Sequence, residues 1–348
     1  MQKIFPAFLS CQGTQLSEAE KKLFSKHNPL GVCLFSKFCA NIENAEQVAA
    51  LVNEIKEVVG REDVLIAVDQ EGGRVRRLTE SEFLPLAPQE SLTTPELAAQ
   101  HAYLASYDLA RCGINVNFAP VLDIITPATA KVLQGRCFKN NVSLLARAMT
   151  DEYIKCGICP CVKHLPGHGK ASVDPHLELP VINSEIYELE TDFAPFKDLC
   201  DAPMGMVAHI VLTCIDKDNA ATISPTVISE IIRGKINFQG LLVSDAIVMR
   251  ALQGSIREKA EKAIIAGCEV ICLGNADFEA NKALCESNIE LSDAARERLQ
   301  KITEICNKKH IFADYEQVKN KYCATLKNIL SYDYKYDATE VLNHLRQK

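Results

Sequence analysis

Short apolar runs alternate with longer amphipathic stretches from the amino terminus to Cys285, and this alternation predicts a parallel sheet whose strands are joined by crossover helices. Eight runs read as buried strands: Phe5–Leu9, Gly31–Phe35, Val64–Val68, Val116–Ala119, Ile158–Val162, Gly205–Ala208, Leu241–Val243 and Val270–Leu273. Helical patterns follow them over Ser17–Lys26, Asn44–Val59, Pro95–Cys112, Ser143–Lys155, Glu185–Leu199, Ser224–Arg233, Ser255–Ala266 and Asp277–Cys285. Ser17 with Glu20 fits a capping box, and Pro95 follows Thr94 as a first-turn proline follows its cap. Eight such units predict an α/β chain folded as a closed (β/α)8 barrel over about residues 1–290. A doubly wound open sheet fits less well, because no G-x-G-x-x-G turn joins a strand to a helix and Gly167-x-Gly169 lies in a long loop. From about 291 to 348 the pattern is helical and charged, which predicts C-terminal helices packed on the barrel within one catalytic domain, with a fraying end.

Composition narrows the class. The chain of 348 residues is 47% hydrophobic and 24% charged, an ordinary globular balance. Its 38 basic and 45 acidic residues leave a net charge of −7. The densest basic cluster is Arg74, Arg76 and Arg77, which suits one anionic ligand or a solvated face, so no nucleic-acid partner is expected. No stretch has the length of a membrane span, and the N-terminal apolar run, broken by Pro6, is too short for a secretory signal. Leu9-Ser10-Cys11 is only a faint lipoprotein-like site. Fifteen cysteines, an odd number, sit singly inside apolar runs. That usage suits a reducing compartment, where cysteine acts as a small hydrophobe, and predicts a cytoplasmic protein. Cys156, Cys159 and Cys161 permit a zinc or redox reading, but two of them alternate along a predicted strand and are expected to face packed layers.

Candidate chemistry gathers where strands end. In a barrel the loops after the strands share one face, so their residues belong to one site. Asp69-Gln70-Glu71-Gly72-Gly73-Arg74 follows the third strand and Asp123 the fourth; Lys163 and His164 follow the fifth, His209 the sixth and Asp245 the seventh. Any single aspartate there has a plain alternative as a turn or cap residue. Their recurrence favours a cleft. The densest stretch is Lys163–Pro180, KHLPGHGKASVDPHLELP, whose glycines and prolines exclude a helix and shape a loop. Converging carboxylates and histidines suit acyl, phosphoryl or glycosyl transfer, and spacing alone does not choose. A zinc hydrolase using His164, His168, His176, Asp69 and Asp245 is a competitor, though no H-E-x-x-H occurs; a serine nucleophile lacks its G-x-S-x-G elbow.

These residues resemble glycoside hydrolase family 3, specifically its single-domain bacterial β-N-acetylhexosaminidases of peptidoglycan recycling. The likeness rests on DQEGGRVRR at 69–77, GRCF at 135–138, KHLPGHG at 163–169, DPH at 174–176 and LLVSDAIVMRAL at 241–252, and it runs from LGVCLF near Leu30 to AGCEVICLGN at 266–275. The resemblance implies a retaining exo-glycosidase with no cofactor and no metal, acting as a monomer on muropeptides that carry terminal β-linked N-acetylglucosamine. It implies Asp245 as nucleophile, His176 as general acid and then base, and Asp174 as the group orienting His176. Asp69, Arg77, Arg136, Lys163 and His164 are implied to hold the sugar. The chemistry agrees: a retaining mechanism needs a carboxylate at the anomeric carbon and a separate proton donor, and an imidazole can serve as acid in one step and base in the next. Three positions depart from the family pattern. Ala246 replaces a second acid, Pro175 a serine between the Asp and His of the loop, and Cys137 a serine after the sugar-binding arginine. A histidine acid leaves open a phosphorylase, since it tolerates an anionic acceptor, and the three departures leave open a muropeptide-binding protein without turnover.

Overall fold

A computed structural model describes residues 3–36, 39–79 and 81–330. The eight expected strands form: β1 (Phe5–Ser10), β2 (Pro29–Cys33), β3 (Leu65–Val68), β4 (Val116–Asn117), β5 (Cys159–Leu165), β6 (Met204–Val207), β7 (Leu241–Ser244) and β8 (Ile271–Cys272). All neighbouring pairs run parallel, in the order β8-β1-β2-β3-β4-β5-β6-β7. A parallel bridge from Val243 to Val270 joins the two ends of that order, so the sheet closes on itself as a (β/α)8 barrel.

Strand periodicity sorts the core into two layers. Leu65 and Ala67 of β3, Cys159 and Cys161 of β5, and Leu241 and Val243 of β7 point into the barrel, while Ile66, Val68, Val162 and Leu242 point outward against the helices. The cysteines behave as expected of small hydrophobes, and all fifteen are unbridged. The outer layer is formed by α1 (Glu18–His27), α2 (Ala45–Val59), α3 (Pro95–Arg111), α4 (Val142–Lys155), α5 (Glu190–Asp198), a π-helix at Val227–Lys235, α6 (Ile256–Ala266) and α7 (Phe278–Cys285). The capping box at Ser17 and Glu20 is present, a second stands at Ser255 and Glu258, and Thr94 caps α3 ahead of Pro95. Each cap satisfies amides that the first turn leaves without partners.

Two C-terminal helices complete the described chain, α8 (Asp293–Cys306) and α9 (Tyr315–Leu330); the fraying predicted beyond them falls in 331–348, outside the described residues. Ala295, Leu299 and Ile302 of α8 join the barrel's interior cluster. Arg298 donates to the Gln239 carbonyl just before β7, and the Cys306 thiol to that of Asn115 just before β4, so α8 covers the amino-terminal mouth. The opposite mouth, where the strands end, is left to the loops. Among the described residues no helix is long and apolar enough to cross a membrane.

Candidate active site

The strand-end residues converge on one cavity at the carboxyl-terminal mouth. Its wall includes Asp69 and Arg77 from the β3 loop, Arg136 from the β4 loop, Lys163, His164 and His176 from β5 and the loop after it, and Asp245 from the β7 end. Asp174 does not line it.

The sequence placed Lys163 and His164 just beyond the fifth strand, whereas β5 extends through both to Leu165. A register shift against β6 between Lys163 and Leu165 interrupts the strict alternation, and both side chains reach the cavity. Lys163 is 1% exposed and lies between two carboxylates, 2.9 Å from Asp69 Oδ1 and 2.6 Å from Glu71 Oε1. Arg136 grips Glu71 with a two-pronged contact, Nε and Nη2 each donating at 2.8 Å, and Arg77 Nη2 reaches Asp69 Oδ2 at 3.3 Å. Burial opposes every charge in this cluster, and the neighbours overcome it. Burial would raise the Glu71 carboxyl, but Arg136 and Lys163 bring it down to about 2. Asp69 is held low against the same burial by Lys163 and Arg77. Burial would discharge Lys163, yet Asp69 and Glu71 keep its pKa above that of a free lysine. The cluster therefore stays ionised at neutral pH, an array of fixed donors and acceptors suited to sugar hydroxyls.

The loop after β5 is tied to β4 by a buried carboxylate. Asp123 accepts His164 Nδ1–H at 2.7 Å through one oxygen and the His168 backbone N–H at 2.7 Å through the other. The bond leaves His164 Nε2 as the ring atom not committed to Asp123. A Cβ at Gly169 would stand 1.9 Å from the Ile124 carbonyl oxygen, so only glycine lets this loop lie so close to the β4 loop. The His168 ring is buried without a hydrogen-bond partner among the described residues, and burial pushes its pKa down to about 4. Further along, Asp174 Oδ1 accepts both the His176 backbone N–H at 2.9 Å and His176 Nδ1–H at 2.7 Å. Burial works to raise the Asp174 carboxyl, and the hydrogen bond and charge of His176 hold it below its usual value. One carboxylate thus fixes the tautomer and the direction of the ring, with Nε2 free to exchange a proton.

Asp245 follows β7, its N–H donating to the Val207 carbonyl at 3.0 Å and its Oδ1 accepting the Ala246 N–H at 2.7 Å. Burial favours the neutral acid, but His209, His164, the Ala246 amide and His176 together hold Asp245 below the ordinary carboxylate range. His209 is buried; Nε2–H donates to the Ala246 carbonyl at 3.1 Å and Nδ1 meets Thr222 Oγ1 at 2.7 Å, which pins the turn behind the carboxylate. The three loop histidines consequently have separate surroundings, and among the described residues no three histidine, cysteine or acidic side chains group as a metal site.

Sequence reasoning assigned no role to Glu71, Asp123, His209 or Asn275, and gave His168 one only as a zinc ligand in the competing reading. The strand-end pattern contained the signal for Glu71, Asp123 and His209, His168 stands in the Lys163–Pro180 stretch, and Asn275 closes the AGCEVICLGN segment.

A family model described as the glycosyl hydrolase family 3 N terminal domain matches residues 6–305. The chain belongs to glycoside hydrolase family 3. As a family 3 glycoside hydrolase it has relatives named beta-hexosaminidase in Bordetella avium (strain 197N), 33% identical over 314 residues that cover 85% of this chain and 87% of that one, and in Chromobacterium violaceum, 33% identical over 314 residues covering 85% and 86%. Among solved structures it is similar to NagZ from Neisseria gonorrhoeae in complex with N-trifluoroacetyl-D-glucosamine, with a TM-score of 0.81, 28% identity and coverage of 93% and 98%. A family 3 beta-N-acetylglucosaminidase from Paenibacillus, at 24% identity, shares the fold with a TM-score of 0.82 over 92% of this chain and 67% of that one.

Proposed function

We propose that this family 3 enzyme removes terminal β-linked N-acetylglucosamine from peptidoglycan fragments with retention, through a glycosyl ester on Asp245. The observation that carries the reading is that an ionised, partly buried carboxylate and a histidine oriented by its own carboxylate face the same cavity. The hexosaminidase relatives and the sugar analogue bound by the gonococcal protein support the choice of sugar.

In the first step an Asp245 oxygen bonds to the anomeric carbon as the glycosidic C–O bond breaks, and imidazolium His176 passes its Nε2 proton to the leaving oxygen. Asp174, accepting Nδ1–H, stabilises the imidazolium beforehand and holds neutral His176 in the tautomer whose Nε2 is a base. In the second step water bonds to the anomeric carbon, His176 takes its proton, and the ester bond to Asp245 breaks. Asp69, Arg77, Arg136, Lys163 and His164 hold the sugar hydroxyls. Ala246 removes one negative charge that would raise the Asp245 pKa, so the nucleophile stays ionised without it.

The test is hydrolysis of a nitrophenyl β-N-acetylglucosaminide and of a muropeptide bearing N-acetylglucosamine, with the anomer of the first-formed product read by NMR. The β anomer is expected. Asp245→Ala is expected to lower turnover on the order of 10⁴-fold while N-acetylglucosamine still binds, because the nucleophile acts chiefly in the transition state. An α product, or turnover near wild type in Asp245→Ala, overturns the assignment.

A further inference from the structure

Asn275 lies just past β8, after Gly274, in the cavity wall beside the nucleophile turn. It is 2% exposed. The Cys39 thiol donates to Asn275 Oδ1 at 3.1 Å, with the Ala276 carbonyl at 3.7 Å as a second acceptor, and its sulfur accepts Gln12 Nε2–H at 3.3 Å. The amide oxygen thus faces Cys39 and Nδ2 faces away from it. Nδ2 is buried and has no hydrogen-bond partner among the described residues. Buried donors in native proteins nearly always find a partner, and the cavity is where this one can meet it.

The position says which part of a sugar that is. Asp245 follows β7, so the ends of β6 and β8, the strands beside β7, flank an anomeric carbon placed over it. On the β6 side both nitrogens of His209 are engaged. On the β8 side Asn275 offers an uncommitted N–H, and the adjoining wall is apolar, with Ala246 and Met249. The approach is close: a Cβ at Gly274 would lie 2.6 Å from the Ala246 Cβ. A donor beside an apolar wall complements an acetamido group, whose carbonyl accepts a hydrogen bond and whose methyl leaves water. A 2-hydroxyl offers neither that carbonyl nor a methyl for the apolar wall.

We propose that Asn275 Nδ2 donates to the acetamido carbonyl of the bound sugar and selects 2-acetamido over 2-hydroxy sugars, with Ala246 and Met249 against the methyl. The inference rests on the N-acetylglucosaminidase reading above and deepens it by naming the group that reads the N-acetyl substituent. The substitution of Ala246 for the family's second acid then has a consequence here, since it makes this wall apolar.

The experiment compares kcat/KM for nitrophenyl β-N-acetylglucosaminide and nitrophenyl β-glucoside in wild type, Asn275→Ala and Asn275→Asp. Both variants are expected to lose at least about tenfold on the N-acetylglucosaminide and to stay within about threefold of wild type on the glucoside, because a hydrogen bond is lost only where the carbonyl exists. Equal losses on both substrates, or no loss on the first, overturn the proposal. Asn275→Asp keeps the size of the side chain and serves if the alanine variant does not fold. Calorimetric binding of N-acetylglucosamine and glucose reads the same preference without turnover. If wild type hydrolyses neither glycoside, the function above fails, while a preference for N-acetylglucosamine that disappears in the variants still supports Asn275, and equal binding of the two sugars overturns it.

Discussion

Glu71 is 1% exposed and shares its carboxylate between Lys163 and Arg136. Neutralising it leaves three cations, Lys163, Arg136 and Arg77, with one carboxylate, Asp69, near them. Because the desolvation of Lys163 and Arg136 is already incurred by the fold, the loss exceeds that of a surface ion pair. Glu71→Gln, nearly isosteric, is expected to lower the unfolding free energy by about 3 kcal/mol and to raise KM for the N-acetylglucosaminide more than it lowers kcat. Urea denaturation and steady-state kinetics check this; unchanged stability would mean that the cluster is solvated. The sequence made Asp69 legible and not Glu71, although both stand in DQEGG. The direction of Glu71 depends on the bend at Gly72, where φ is +105° and a Cβ would lie 2.2 Å from the Ala87 carbonyl oxygen. That contact comes from a distant loop, which local pattern does not contain. Asp123 was visible as a strand-end acid, but its grip on His164 follows from β4 lying beside β5, which only the folded barrel supplies.

At the scale of elements, the tail read as packing helices does more than cover surface. Tyr322 of α9 accepts the Ala87 N–H at 3.0 Å and meets His101 Nδ1 at 2.9 Å, while His101 Nε2 meets the Glu71 carbonyl at 3.0 Å. The carbonyl can only accept, so His101 carries its proton on Nε2 and takes the tyrosine hydroxyl's proton on Nδ1. A helix outside the barrel is thus hydrogen-bonded through one histidine to the residue that pairs Lys163 with Arg136. Tyr322→Phe keeps the ring and strands two buried groups, with an expected cost of about 1–3 kcal/mol. Activity on the N-acetylglucosaminide should fall severalfold, mainly through KM, since Glu71 pairs with Lys163 and Arg136 of the proposed sugar-binding cluster. A Tyr322→Phe protein with lowered stability and unchanged KM would reduce the link to packing alone. Periodicity revealed the strands and most helices because their apolar faces repeat. It missed the two-stranded ribbon of Val181–Ile182 with Val211–Leu212, too short to repeat anything, and it read the π-helix as an ordinary one because a sequence does not state its pitch.

For the whole molecule, the buried histidines at the catalytic mouth set how the fold responds to acid. Burial lowers His101 and His168 to about 4, against about 6.5 for an unfolded histidine. Between those values the unfolded chain binds protons that the folded chain does not, as it does for His209, which burial also lowers, so the unfolding free energy decreases as pH falls through this window and levels off once these rings are charged. Each ring contributes about 1 kcal/mol per pH unit there. The net charge of −7 shrinks as carboxylates take up protons, which by itself relieves repulsion and acts the other way; moderate salt screens that contribution while leaving the buried groups largely unaffected. Glu71 acts lower still. Its depressed pKa adds stability above the unfolded value of about 4.3, and this is lost as pH falls through about 2. Urea midpoints at pH 7, 6, 5 and 4 in moderate salt are therefore expected to fall steadily, before the carboxylate cluster protonates. His168→Gln should flatten that fall, since it removes one of these rings, whereas Glu71→Gln should leave its slope unchanged and shift the whole curve down. Midpoints that stay constant from pH 7 to 5, or an unaltered slope in His168→Gln, would show that these rings are reached by water and charge freely in the folded barrel.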